Sequence, residues 1–157
     1  MPVLKVAKES STVQKWFLTL LKFLNSLQGL KQMLNIIAVF AGGGIGAVLR
    51  YLSGVWFLKN LHVNLPVATF TVNITGCFIL GFLYILFINK TGWNPAVKLA
   101  LTAGFCGGLT TFSTFSAEVF EMIRTAQYVQ ALWYILLSVI AGLIAVTIGA
   151  YFAKLCI

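Results

Sequence analysis

The sequence GFCGGLTTFSTFSAE at residues 104–118 decides the fold class. It places three glycines and a cluster of threonines and serines in an uncharged run from Leu99 to Ala117. Glycine costs roughly 1 kcal/mol against alanine in a helix, and irregular backbone inside a membrane persists only where protein or a polar cavity satisfies its freed groups. The stretch therefore predicts a transmembrane helix that is broken near its middle.

The composition of the whole chain also indicates a membrane location. The 157 residues are 60% hydrophobic and 9% charged, with a mean hydropathy of +0.96. Such a chain has too little polar surface to coat a soluble globule, and it predicts an all-α integral membrane protein. At about 20 residues per span, the length allows four spans and no soluble catalytic domain, so we do not expect an enzyme.

Charge and cysteine usage exclude several other classes. The net charge of +8 indicates contact with anionic lipid headgroups rather than with nucleic acid, because the chain is so apolar. Cys77, Cys106 and Cys156 are far apart without C-x-x-C spacing, which is typical of buried small hydrophobic residues. His62 has no ligand cluster around it, so we interpret it as a plain loop histidine.

Charged residues and turn signals divide the chain into an extension and four predicted spans. Residues 33–157 form the four-helix domain, with spans at about 33–58, 66–88, 98–122 and 126–153. In residues 1–32, lysines alternate with tryptophan, phenylalanine and leucine at helical spacing, which predicts a basic amphipathic helix on the membrane surface. The alternative is a disordered or misannotated start upstream of Met33; no secretory signal is evident.

The distribution of basic residues gives a weak orientation signal. Near the spans, four basic residues on one side face three on the other, so the four-helix domain can insert either way round. The lysines of residues 1–32 favour placing that end in the cytoplasm. We expect a multi-pass protein of the plasma membrane, the inner membrane of a bacterium.

Polar residues inside the predicted spans are the candidate functional residues. Arg50 can be an anion-attracting guanidinium or a side chain that snorkels to the interface. Thr69 and Asn73 share one helix face, and Tyr134 and Ser138 repeat the spacing. Each pair can bind a small anion or join two helices by hydrogen bonds.

The third predicted span carries a stripe of two phenyl rings and a carboxylate. Phe112, Phe115 and Glu118 follow one another at three-residue intervals, and Ser113 and Thr114 lie between them. The electropositive edge of a phenyl ring can face an anion. Packing in the protein core is the alternative explanation for the two rings.

Three motifs together resemble the Fluc/CrcB fluoride channel family. They are GGGIGAVLRY at 42–51, TFTVNITG at 69–76 and the stretch at 104–118. The resemblance covers Met33 to about Lys154. It implies an antiparallel, dual-topology homodimer with two fluoride pores between the subunits and a structural Na⁺ ion at the dimer centre.

The resemblance also implies roles for individual residues. The fluoride path would be lined by Asn73, Phe112 and Phe115. Further hydrogen-bond donors along it would be Thr69, Ser113, Thr114, Tyr134 and Ser138. Backbone carbonyls of Gly107 and Thr110 would bind Na⁺. Glu118 matches the family's glutamate beyond the Phe pair and would belong to the fluoride path, and Arg50 would lie toward the aqueous mouth.

The expected function is passive export of fluoride, which confers fluoride resistance. Hydrogen fluoride enters as a neutral acid and dissociates in the cytoplasm, and a channel lets the anion leave. The alternatives are a proton-coupled exchanger of cationic drugs that uses Glu118, and a purely structural four-helix subunit. Residues 1–32 depart from the family pattern, and dual insertion becomes doubtful if they determine orientation.

Overall fold

The structure is a computed structural model that describes residues 2–60, 66–90 and 92–157, with all their side chains except those of residues 2–15, Leu21 and Leu24. The predicted loop histidine, His62, lies outside the described residues. Every regular element in the described ranges is a helix. This confirms the prediction of an all-α protein.

Six α-helices and one π-helical segment follow one another within residues 2–60, 66–90 and 92–157. They are α1 (Pro2–Asn60), α2 (Val67–Asn89), α3 (Pro95–Leu99), the π-helical segment (Ala100–Cys106), α4 (Gly107–Leu109), α5 (Phe112–Arg124) and α6 (Tyr128–Leu155). Three stretches are long and apolar enough to cross a membrane, namely Trp16–Asn60, Val67–Asn89 and Tyr128–Leu155. Residues 95–124 are divided among shorter helices.

The chain separates into two compact units, Met1–Ile36 and Ile37–Ile157. The described part of the first unit is entirely helical. The second unit contains the remainder of α1 and all other helices, and all the predicted site residues lie in it.

Glycines bring α2 and α6 close together within the second unit. A Cβ atom on Gly81 would collide with the carbonyl oxygen of Val146, and one on Gly149 would collide with that of Phe78. Both glycines are buried. Small residues at such positions let two membrane helices approach to backbone contact. Close packing then holds the helices together, because in lipid there is no hydrophobic driving force between them.

A second glycine contact joins α1 to the helical segments that precede α5. Cβ atoms on Gly42 and Gly46 would collide with the carbonyl oxygens of Ala100 and Phe105. This contact lies in the GGGIG sequence that begins at Gly42. It positions the α1 residues after Gly46, including Arg50, beside the end of α4.

Two extended residues separate α4 from α5. Thr110 has φ −78° and ψ 155°, and Thr111 has φ −148° and ψ 115°. Both are β-region conformations, in which the helical hydrogen-bond ladder cannot continue. The backbone groups at this point must therefore find other partners.

Candidate functional site

A cavity of about 520 Å³ lies beside the two extended residues. It is bounded by α2, by the segments on both sides of Thr110 and Thr111, and by α6. Its lining is mostly apolar, with polar atoms supplied by few residues. Those most relevant here are Asn73, Thr110, Thr111, Phe112, Phe115 and Ser138.

Asn73 of α2 binds the backbone of Thr111. Its Oδ1 accepts a hydrogen bond from the Thr111 N–H at 2.7 Å, and its Nδ2 donates to the Thr111 carbonyl at 3.3 Å. Thr111 is only 7% exposed, so these backbone groups have little access to water. The asparagine amide thus replaces part of the helical hydrogen bonding that the extended backbone forgoes.

The Thr111 side chain begins the next helix. Its hydroxyl accepts from the Thr114 N–H at 3.2 Å and donates to the Thr114 hydroxyl at 3.0 Å. The Ser113 hydroxyl lies 3.3 Å away. Thr111 is thus the N-cap of α5, and the predicted residues Ser113 and Thr114 lie in its hydroxyl cluster.

Arg50 of α1 contacts the other extended residue. Its Nη1 donates to the Thr110 carbonyl oxygen at 2.9 Å. In a continuous helix that oxygen would accept from the Thr114 N–H, but that N–H donates to the Thr111 hydroxyl. The guanidinium therefore satisfies a carbonyl that the extended backbone has freed.

The three predicted residues Thr69, Glu118 and Tyr134 meet in one cluster. The Thr69 hydroxyl donates to Glu118 Oε1 at 2.6 Å, and the Tyr134 hydroxyl donates to Oε2 at 2.8 Å. Thr69 and Tyr134 are buried. The cluster joins α2, α5 and α6 through a single carboxylate.

Three aromatic rings follow one another from the cavity toward this carboxylate. The ring centroids of Phe112 and Phe115 are 5.9 Å apart, and those of Phe115 and Tyr134 are 5.0 Å apart. Phe115 packs against the buried cluster that includes Met122 and Tyr134, whereas Phe112 is 80% exposed. The two phenylalanines therefore differ sharply in how far the fold buries them.

Ser138 of α6 presents a hydroxyl to the cavity. Its Oγ is buried and has no hydrogen-bond partner among the described residues. Buried hydroxyls are usually hydrogen-bonded because desolvation without a partner costs free energy. This oxygen is therefore available to a polar occupant of the cavity.

The backbone at the end of α4 offers carbonyl oxygens rather than metal-binding side chains. Among the described residues, no three His, Cys, Asp or Glu side chains are grouped to hold a metal ion. The Thr111 N–H donates to Asn73 and is not available to the Gly107 carbonyl four residues earlier. The carbonyls of Gly107 and Thr110 are thus both released from helical pairing.

Thr111 was not among the predicted site residues, although it lies at the centre of the contacts. Its backbone binds Asn73, and its hydroxyl caps α5. One signal was present in the sequence. A threonine immediately before the apolar Phe112, with further hydroxyl residues following, is typical of a helix N-cap.

Comparison with known proteins gives concordant matches. A family model described as CrcB-like protein, Camphor Resistance (CrcB), matches residues 37–150. A fluoride-specific ion channel FluC of Gloeothece citriformis is 44% identical over 122 residues, covering 78% of this chain and 98% of the relative. FluC of Leptospira interrogans is 39% identical over 120 residues, covering 76% and 94%. FluC 1 of Yersinia pseudotuberculosis is 46% identical over 117 residues, covering 74% and 91%.

These matches confirm the resemblance drawn from the three motifs. They also agree with the long apolar helices and with the predicted location as a multi-pass protein of the inner membrane. The matched family region begins at residue 37, which is where the second compact unit begins.

Proposed function

Because the chain belongs to the CrcB-like protein family, we propose that it is a fluoride-selective channel through which fluoride leaves the cytoplasm down its electrochemical gradient. The observation that carries the proposal is the cavity in which Asn73, Phe112, Phe115 and Ser138 meet. It combines hydrogen-bond donors with phenyl rings, and none of the described residues that line it is cationic. Such a lining replaces the water around a small anion without binding it so tightly that it cannot leave.

The unpaired donors of the cavity would contact fluoride directly. The Ser138 hydroxyl has no partner among the described residues, and the Asn73 Nδ2 has a second hydrogen beyond the one that it donates to Thr111. The edges of Phe112 and Phe115 supply weak positive electrostatic potential between these donors. Ser113 and Thr114 are not among the residues that line the cavity, and their hydroxyls lie beside it at the start of α5, paired with the Thr111 hydroxyl.

Thr69, Tyr134 and Glu118 support the path from one side. Both hydroxyls donate to the carboxylate, so the carboxylate oxygens are engaged within the protein. This arrangement favours the channel over a proton-coupled exchanger, which needs Glu118 free to bind an organic cation.

Arg50 would act near the entrance of the path. Its guanidinium is partly buried and adds positive charge beside Thr110. A cation at this position attracts an anion from the aqueous side, while its hydrogen bond keeps the guanidinium in place.

We further propose that two copies assemble in opposite orientations. Phe112 is 80% exposed in the single chain, and a ring that lines a narrow pore requires a second wall. The interrupted segment 95–124 would serve as the third of four membrane crossings in each copy. The nearly balanced basic residues around the spans allow both orientations.

The carbonyls of Gly107 and Thr110 fit a structural Na⁺ ion between the two copies. Sodium is a hard cation that prefers oxygen ligands, and carbonyl rings serve this purpose in channels. Thr110 already accepts from Arg50, but a carbonyl oxygen has a second lone pair. When bound, the ion would hold the two interrupted segments together.

The test is anion efflux from liposomes that contain the purified protein, comparing fluoride with chloride and imposing no proton gradient. We expect rapid electrogenic loss of fluoride and retention of chloride. Retention of both anions, combined with proton-dependent uptake of an organic cation, would replace the channel with the exchanger. Retention of all three solutes would favour a purely structural subunit.

A further inference from the structure

The first compact unit lies outside the part of the chain that matches the family model. The family match begins at residue 37, and the Gloeothece citriformis channel is 98% covered by only 122 residues of this chain. A membrane span needs about 20 residues, so residues 37–58 suffice for the first span. The helical residues before Ile37 therefore serve some other purpose.

This unit carries an exposed apolar stripe, which we call the N-terminal apolar face. Its six residues follow at alternating four- and three-residue intervals, so they share one side of α1. All six are exposed, from 40% for Leu27 to 72% for Trp16. They are Trp16, Leu20, Phe23, Leu27, Leu30 and Leu34.

The charge of the same unit is strongly positive. It contains five lysines and one acidic residue, Glu9, which gives a net charge of +4. Lys22 and Lys31 are described, and both are exposed. An apolar face of tryptophan, phenylalanine and leucine on a lysine-rich helix is the pattern of helices that lie in the membrane interface.

A second copy of the helix is the competing occupant, because the spacing of the face also fits a coiled coil. Coiled coils gain specificity from opposite charges beside the seam. The flanking positions here hold Phe17, Thr19, Leu24, Ser26, Lys31 and Met33. They contain no acidic residue to pair with lysine, and Phe17 makes the apolar face wider than a two-helix seam.

We propose that the N-terminal apolar face docks on the surface of an anionic lipid bilayer, with the lysines attracted to lipid phosphates and headgroups. The apolar side chains enter the boundary between headgroups and acyl chains. This docking is separate from conduction, and it is independent of the fluoride proposal.

The test uses the full chain in nanodiscs, where both membrane faces are accessible to trypsin. Cleavage after Lys22 and Lys31 is followed by mass spectrometry in phosphatidylcholine discs and in discs that also contain phosphatidylglycerol. We expect cleavage to slow by at least about fivefold in the anionic discs. This factor corresponds to the attraction of a single lysine to such a surface. High salt should reduce the protection, because it screens the attraction between lysines and lipid.

Two neighbouring substitutions distinguish a role of the N-terminal apolar face from a general effect on the helix. Leu27→Asn lies on the face and should abolish the protection, whereas Ser26→Asn introduces the same residue beside the face and should retain it. Equal cleavage rates in the two lipids overturn the proposal. Protection from cleavage that does not depend on lipid charge, but increases with the number of copies per disc, overturns the proposal in favour of self-association.

Discussion

The side-chain amide of Asn73 pairs with both backbone polar groups of Thr111, accepting from the N–H at 2.7 Å and donating to the carbonyl at 3.3 Å. It acts on the extended backbone as a neighbouring strand would. Because it takes the Thr111 N–H, it leaves the Gly107 carbonyl without its helical donor. The geometry between α4 and α5 therefore depends on a residue of α2.

Replacing Asn73 should destabilise the protein. Asn73→Ala leaves a buried N–H and a buried carbonyl without partners, and we expect the free energy of unfolding to fall by about 2 kcal/mol or more. Asn73→Asp retains the acceptor but directs a second carboxylate oxygen at the Thr111 carbonyl, and it should also suppress fluoride efflux by repulsion. Thermal unfolding in detergent and liposome efflux measure the two effects.

The matched control for Asn73 is Asn89→Ala at the exposed C-terminal end of α2. Surface substitutions of this kind usually change stability by less than about 0.5 kcal/mol. Equal unfolding temperatures for the Asn73→Ala and Asn89→Ala variants would show that the contact with Thr111 contributes nothing to stability.

The hydroxyls of Thr69 and Tyr134 should contribute to stability through Glu118. Thr69→Val and Tyr134→Phe each remove a hydrogen bond to the carboxylate, and we expect losses of about 1.5–3 kcal/mol. The two losses should not add, because both hydroxyls bind the same side chain. A double-mutant cycle from denaturant unfolding measures this coupling.

Tyr128→Phe is the control for this cycle. Tyr128 begins α6 and is 64% exposed, so its hydroxyl should contribute little. Strict additivity of the Thr69→Val and Tyr134→Phe effects would contradict a shared role for the Glu118 carboxylate.

The parts of the fold that sequence could predict are those that depend on local pattern. Long uncharged apolar runs favour helices in a membrane, because a helix pairs its backbone groups within a single segment. The stretch at 104–118 combines glycines with hydroxyl residues, and Thr110 and Thr111 within it are extended. The four-residue spacing of Thr69 and Asn73 placed both on one face of α2, and both contact residues of the interrupted segment.

The contacts that shape the site could not be read from local pattern. Arg50 and Thr110 are 60 residues apart, and Asn73 and Thr111 are 38 apart. Hydropathy and spacing say which residues are polar, but not which backbone group each will satisfy. Arg50 was therefore predicted only as a charge, whereas it also binds a backbone carbonyl.

Close packing of α2 and α6 should make Gly149 intolerant of even one methyl group. The Cβ of Gly149→Ala would meet the Phe78 carbonyl and, at 3.1 Å, the Phe82 nitrogen. Because backbone atoms cannot move aside independently, we expect a loss of about 1–3 kcal/mol in stability.

Gly54→Ala is the matched control, since no described atom lies within 4 Å of its Cβ position. It should stabilise α1 by about 0.5–1 kcal/mol. The same direction of change in both variants would contradict this interpretation.

The turn after α5 contains one residue whose strained backbone a single substitution should relieve. Ala126 has φ 58°, and the N–H groups of Ala126 and Gln127 donate to the carbonyls of Ile123 and Met122. This is a Schellman motif, in which glycine is the usual residue at the left-handed position. Ala126→Gly should therefore raise the free energy of unfolding by about 1 kcal/mol. The same substitution at the exposed Ala117, within α5, should lower it by about as much. A decrease in both variants would show that the left-handed backbone at Ala126 stores no strain.

The two phenylalanines of the proposed path differ in burial, so their substitutions should affect stability differently. Phe112→Ile removes a ring that is 80% exposed, so unfolding temperature should hardly change while fluoride efflux falls. Phe115→Ile also removes the contact with the Tyr134 ring at 5.0 Å, so stability and efflux should both fall.

If each ring edge stabilises the anion in the pore by about 1 kcal/mol, each substitution slows efflux at least about fivefold. Phe120→Ile changes a third phenylalanine of α5, 65% exposed and not among the rings that line the cavity, and should leave efflux unchanged. Undiminished efflux in both the Phe112 and the Phe115 variants would remove the rings from the conduction path, whereas equal losses in all three would indicate a general effect on α5.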